Sequence, residues 1–388
     1  MAQNKSLKKA GAGLKQYGMM IMLIVVYLLF AIITKGKNLT PMNINNLIMQ
    51  NGYVVILAVG MLLCVLTGNV DLGVGSVVAS TGAVAGTLII DFGWSAPAAM
   101  AAALAVGALF GVFVGFFVAY VDIPPFIVTL ATMLMGRGLC YVILKAQTKG
   151  PLPASYNWIG TGFLPTIPVG GVDLICLVVA AVISVLIVLG EMKAVATAKK
   201  HGLPVAPAWQ LIVKDAVIIG IVCFFFWKLA NYNGIPVVLV LMAILVGIYH
   251  FITTNTVAGR QVYAMGGNAK AARLSGINTK RVFFWVYANM GLLAAVAGIV
   301  LSARNQSATP KAGDSFEMDA IASCYIGGAA TSGGVGTIIG AVVGAFIMGI
   351  LNNGMSLAGY DTNIQKIVKG MVLLGAVTVD LVSKRKKG

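Results

Sequence analysis

Eleven acidic residues, two histidines and five cysteines are the chain's whole stock for acid–base, nucleophilic or metal chemistry, and their spacing supports none of it. The acids Asp71, Asp91, Asp122, Asp173, Glu191, Asp215, Asp314, Glu317, Asp319, Asp361 and Asp380 fall mostly at the ends of apolar runs. No two form the carboxylate pair that glycoside or peptide hydrolysis uses. His201 and His250 stand far apart, which excludes a histidine relay or a zinc site built on them. Cys64, Cys140, Cys176, Cys223 and Cys324 lie singly in apolar stretches without CxxC spacing, and read as small core residues. "GGNAK" at Gly266–Lys270 lacks the GxxxxGK[ST] pattern of a phosphate-cradling loop. We therefore expect no catalytic residue, no metal and no cofactor.

One polar segment does carry a structural signal. Gly259 to Arg281 holds five basic residues and no acidic one, between two strongly apolar stretches. Within it Asn268 can cap a helix, Ala269 to Leu274 favour one, and Gly276 suits the left-handed position just past its end, with Ile277 folding back on Ala272. A helix of under two turns is marginal alone in water, so it has to dock on something. Lys270 and Arg273 share a face of it. Two readings are open at this point: a docking helix, or a basic loop with an incidental turn.

The elements that must hold this segment are membrane spans. The chain has 388 residues, 59% hydrophobic and 10% charged, too few polar residues to cover a soluble fold. Its net charge of +16 comes in clusters between apolar runs, the pattern of cytoplasmic loops and not of a nucleic-acid surface. Runs long enough to cross fall at 17–34, 47–67, 72–90, 96–121, 126–144, 171–190, 211–230, 236–254, 282–303, 335–352 and 364–381. The first has no small-x-small cleavage site after it and is expected to stay as an uncleaved span. "DAIASCYIGGAA", Asp319 to Ala330, is too short for a straight crossing and reads as a broken helix. Counting it gives about twelve crossings with both termini cytoplasmic. The basic residues then favour the inside by roughly two to one, with Arg137 and Lys369 left within spans.

The fold class expected is thus all-α, a polytopic membrane protein forming a single transmembrane domain over residues 1–388. Residues 1–16 would be a cytoplasmic tail and 259–281 a cytoplasmic loop. Glycines at every fourth position, Gly107, Gly111 and Gly115, then Gly336, Gly340 and Gly344, would make smooth faces for close helix packing or for a pore. Arg137 reads as a structural bond to backbone carbonyls or as a substrate contact.

"GRQVYAMGGNAKAARLSGI" resembles the cytoplasmic loop of the permease subunits of ABC-type monosaccharide importers, the ribose, galactose and xylose group. "LAVGMLLCVLTGNVDLGVGSVVA" (57–79), "IPPFIVTLATMLMGRGL" (123–139), "EMDAIASCYIGGAATSGGVGTIIGAVVGAFIMGILNNGMS" (317–356) and "QKIVKGMVLLGAV" (365–377) agree in the same order. Residues 145–235 look like the longer, xylose-type or multiple-sugar permeases. This implies a ten-helix core with residues 171–231 as an inserted transmembrane hairpin. The chain departs from the family at Gly73, where Ser is usual, so a hydroxyl role there does not carry over.

The resemblance implies an inner-membrane pore-forming subunit that works as a homodimer, with cytoplasmic ATP-binding subunits that hydrolyse ATP and a periplasmic sugar-binding protein. Gly266, Gly267, Asn268, Ala271, Ala272, Arg273 and Gly276 would form the coupling helix. Polar residues at helix breaks, Asn69, Asp71, Asp319, Asn352 and Asn353, are the candidates for the sugar pathway, or else caps and interhelical bonds. The rival reading is an ion-coupled secondary sugar transporter, which would require paired halves and mid-span ionisable groups.

Overall fold

The computed structural model describes residues 2–202, 205 and 207–385. Met1, Leu203, Pro204 and Ala206 of the predicted hairpin, and Lys386, Lys387 and Gly388 at the basic C-terminus lie outside the described residues. The elements are helical apart from one small hairpin. In chain order they are α1 (Ala2–Ile33), α2 (Pro41–Leu66), α3 (Val74–Ile90), α4 (Ala96–Ala119), α5 (Pro125–Leu144), α6 (Ala154–Thr161), β1 (Pro168–Val169), β2 (Val172–Asp173), α7 (Leu174–Lys200), α8 (Ala208–Ala230), α9 (Val237–Asn255), α10 (Val257–Gly267), α11 (Ala269–Leu274), α12 (Thr279–Asn305), α13 (Phe316–Ile326), α14 (Ile338–Leu357) and α15 (Thr362–Arg385).

Among the described residues eight helices are long and apolar enough to cross a membrane, and Gly18–Ile33 and Val74–Ile90 are shorter apolar helices. α13 and α15 coincide with the other two segments predicted from hydropathy, but α13 is too short and α15 too polar to join the eight. α13 has 11 residues, about 16 Å of helix, so it passes through roughly half of a ~30 Å hydrocarbon layer. The chain signals the break on both sides: Gly313 and Ser315 adopt positive φ before it, and Gly328, Gly333, Gly334 and Gly336 do so after it.

The chain divides into two compact units. One comprises Leu39–Asn46 and Phe163–Val237, and holds α7 and α8 side by side as a helical pair. Asp173 starts α7, accepting the Ile175 N–H at 3.2 Å and the Ile167 N–H at 3.0 Å. Leu186 and Ile212 on the pair remain more than half exposed, as expected of side chains that meet lipid.

The other unit comprises Met1–Asn38, Leu47–Gly162 and Val238–Gly388. α12 runs through it and is flanked by α3, α4 and α6. Its approach to α4 is set by glycine: a Cβ on Gly111 would meet the Tyr287 carbonyl oxygen at 2.6 Å, and one on Gly291 would meet the Gly111 nitrogen at 2.5 Å. Gly107 and Gly115 abut the Gly291 and Phe284 carbonyls in the same way. In lipid, where apolar burial drives little association, such backbone contact is what holds helices together. This stripe is therefore a packing face. The second predicted stripe is only partly helical, because Gly336 precedes α14 with φ +152° and leaves Gly340 and Gly344 to face α13.

Four polar bonds add to this packing. Ser80 Oγ donates to the Gly136 carbonyl at 2.7 Å, joining α3 to α5, and Tyr156 and Ser302 share a 2.8 Å hydroxyl bond that seats α6 on α12. Arg137 donates to the carbonyls of Pro310 and Ala312 at 2.9 and 2.6 Å. Its partners are backbone carbonyls, 173 and 175 residues away, in the loop that leads into α13.

Candidate functional site

α11 is built by local chemistry. Asn268 ends α10 and begins α11 in one extended residue, and its side chain accepts the Ala271 N–H at 3.0 Å. At the other end Gly276 takes φ +86° and the Ile277 N–H bonds the Ala272 carbonyl at 3.1 Å, a six-to-one closure that satisfies an orphan carbonyl. Asn278 then caps α12 by accepting the Arg281 N–H at 3.0 Å. Ala272 alone of α11 is buried; Asn268, Ala271, Arg273 and Gly276 face outward, beside the exposed Lys270.

Leu274 is 90% exposed, more than any other large apolar side chain among the described residues. Sequence reasoning passed over it because an apolar residue in a short amphipathic helix is expected to face inward. Its neighbour Arg273 and the exposed Lys270 make this tip apolar and cationic together.

α10 was read from the sequence as plain loop, yet it is a helix of 11 residues, capped by Thr256, whose hydroxyl accepts the Gly259 N–H at 3.2 Å. Its last turn carries the site inward. Gly266 lies against the carbonyl of Leu66, which itself accepts the Gly334 N–H at 2.9 Å. A Cβ on Gly334 would sit 2.8 Å from the Gly267 nitrogen, and one on Gly333 would sit 2.8 Å from that of Gly68. Tyr263 adds a bond from its hydroxyl to the Gly336 carbonyl at 2.7 Å. Three backbones thus meet without side chains between them: the turn after α2, the end of α10, and the loop between α13 and α14.

The five pathway candidates divide. Asn69 donates to the Thr67 carbonyl at 3.1 Å, and Asp71, 6% exposed, accepts the Gly73 N–H at 2.8 Å, so both shape the turn between α2 and α3. Asn353 donates to Gln50 at 3.3 Å, and beside it Asn51 donates to the Ala345 carbonyl at 2.9 Å, which ties α2 to α14. Asp319, 1% exposed, accepts from Lys369 of α15 at 3.0 Å, and Asn352 reaches the same carboxylate. Asp319 and Asn352 come together from α13 and α14. Lys369 completes them from 50 residues away, a separation that no helical spacing reveals. Close to Asp319 in sequence, Phe316 stacks on Tyr53 with ring centroids 4.1 Å apart.

The sequence matches the model of the family described as "Branched-chain amino acid transport system / permease component" over residues 43–194 and 203–377. It is 38% identical to the xylose transport system permease protein XylH of Escherichia coli over 96% of this chain and 93% of that protein. It is 36% identical to the protein of the same name in Haemophilus influenzae, over 98% of this chain and 99% of that one. It is also 36% identical to the ribose import permease protein RbsC of Escherichia coli, over 92% of each. No solved structure matches the chain.

Proposed function

The chain belongs to the branched-chain amino acid transport system permease component family, and from that premise we propose that it forms the membrane pathway of an ATP-driven monosaccharide importer. Near-full-length similarity to proteins named as xylose and ribose permeases supports a sugar over an amino acid as cargo. The permease is not itself an enzyme. ATP hydrolysis falls to separate cytoplasmic subunits, a periplasmic sugar-binding protein delivers the sugar, and two copies of the chain form the pore in the bacterial inner membrane. Both termini face the cytoplasm.

The observation that carries this reading is α11: a short, doubly capped helix that presents Arg273, Lys270 and Leu274 outward and is rooted through Gly266 in the turn after α2 and the loop after α13. Differential contact of an ATPase with α11 in its open and closed states would bias the pathway between inward and outward openings. Because Gly266 touches the turn after α2 and the loop after α13, a displacement of α10 and α11 reaches both breaks through backbone contact, without a flexible side chain to absorb it. The group formed by Asp319, Asn352 and Lys369, near the stacked Tyr53 and Phe316, offers the hydrogen-bonding groups and aromatic faces suited to a neutral polyol.

The test is uptake of labelled xylose and ribose into vesicles containing this chain, the ATPase and the binding protein, with ATP supplied and no ion gradient. Accumulation is expected. Uptake that needs an ion gradient and ignores ATP would establish the secondary-transporter reading instead.

A further inference from the structure

A cavity of about 610 Å³ opens between α9, α10 and α12, against the same loop that carries α11. Leu63, Ile252, Val262 and Val286 are among its apolar wall residues, and Gln261 and Asn289 are among its polar groups. Asn289 accepts the Tyr249 hydroxyl, which leaves its own Nδ2 buried and without a partner among the described residues. Among the described lining residues Arg281 alone carries a full charge, and it is exposed. Trp285, one turn further along α12, is 59% exposed, and Phe251 and Val257 on the neighbouring helices are each 59% exposed.

Those features define an amphiphile. A soluble metabolite does not need an apolar wall that includes exposed Val257 and Trp285, and a simple fatty chain does not need Arg281 or a buried amide donor. Trp near a cluster of basic residues is the side-chain signature of a headgroup level, and a single unopposed cation there selects negative charge. The volume lies in the range of pockets that enclose small ligands. We propose that this cavity binds an anionic phospholipid of the cytoplasmic leaflet, its phosphate at Arg281 and its acyl chain along α9 and α12. The site's leaflet rests on the reading that α11 faces the cytoplasm.

The consequence concerns α11. Gly276 and Asn278, which flank its closing turn, belong to the cavity wall, so an occupied cavity braces the loop that an ATPase would push. The lipid thereby sets how firmly α11 is held, without touching the sugar pathway.

The experiment uses the full-length permease alone in nanodiscs, with phosphatidylglycerol bearing a photoreactive acyl tail and peptide mapping of the label. Label is expected on α9 and α12, displaced by excess phosphatidylglycerol and not by phosphatidylcholine. Ala258→Trp, which fills the cavity, should abolish it, and Arg281→Gln should weaken it about fivefold, the effect of one basic residue at an anionic surface. Label on other helices only, or equal competition by phosphatidylcholine, would overturn the proposal; the competition test holds on the unmodified chain even if a variant misfolds. No transport is measured, so failure here leaves the importer reading standing, and failure of ATP-driven uptake leaves the lipid site standing.

Discussion

Gly266 and the carbonyl oxygen of Leu66 approach so closely that even a methyl group has no room between them. Everything proposed for α11 passes through that contact, because the same carbonyl is bonded to Gly334 at 2.9 Å and the same glycine is followed, two residues on, by the Asn268 cap.

Gly266→Ala should therefore separate assembled backbone, a strain that no rotamer change relieves. We expect a loss of about 1–3 kcal/mol, the usual cost of overpacking, together with loss of ATP-driven uptake. Gly267→Ala, where an added Cβ meets nothing within 4 Å, should leave the melting temperature unchanged. Thermal melts of the two purified variants in detergent compare them; equal melting temperatures would show that the contact is not tight in the membrane protein.

Arg273→Glu reverses the charge at the exposed tip of α11 and should abolish sugar-stimulated ATP hydrolysis in the reconstituted complex while membrane insertion stays normal. Asn268→Ala should reduce stimulation by destabilising α11 by about 1 kcal/mol, and Asn268→Asp should restore it, since Asp caps a helix as well as Asn does. Leu274→Ser should weaken co-purification of the ATPase without lowering the permease's own melting temperature. Unchanged stimulation in all three disabling variants would remove α11 from the coupling path.

The bond between Lys369 and Asp319 joins α15 to α13 with the carboxylate almost fully buried. Removing the cation alone, Lys369→Met, leaves that carboxylate uncompensated and should cost about 3–5 kcal/mol. The double variant Lys369→Met with Asp319→Asn should recover most of it. Denaturant unfolding of the three variants forms the cycle, and additive losses would show that the two groups act independently.

Acid should loosen the start of α7. Burial raises the Asp173 carboxyl, but hydrogen bonds from Ile167, Cys176 and Ile175 outweigh it and hold the group below its ordinary value. A depressed carboxyl contributes its stability above the unfolded value of about 3.9 and loses it as pH falls through the folded one. Asp173→Asn keeps an acceptor and removes the proton equilibrium, so protection from hydrogen exchange at Leu174 to Ala180, measured relative to the intrinsic rate at each pH, should fall below about pH 4 in the unmodified chain and stay flat in the variant. Parallel pH profiles would exclude Asp173 as the cause.

Hydropathy and local capping were legible because each depends on residues close in the chain. A span is an apolar run matched to lipid thickness, and the Asn268, Gly276 and Ile277 closure uses bonds reaching three to five residues. α10 was hard to read since "VAGRQVYAMGG" holds three glycines, although Val262 and Met265 share its buried face, and Tyr263 and Gly266 dock on distant loops. Asn69 and Asp71 lie in the turn between α2 and α3, where local polar residues mark a break, whereas Asn353 lies within α14 and its bond to Gln50 depends on a helix far away in the chain.

The amino-acid order by itself determined which segments are apolar helices and that a self-capped helix stands between two of them, since those are nearest-neighbour and solvent-transfer effects. Only the tertiary structure decided that Leu66, Gly266 and Gly334 share one contact, that Lys369 meets Asp319, and that Leu274 points away from the protein. Helix rotation and depth choose such partners, and in a bilayer they are set by how closely whole backbones fit together, a property no single stretch of sequence contains.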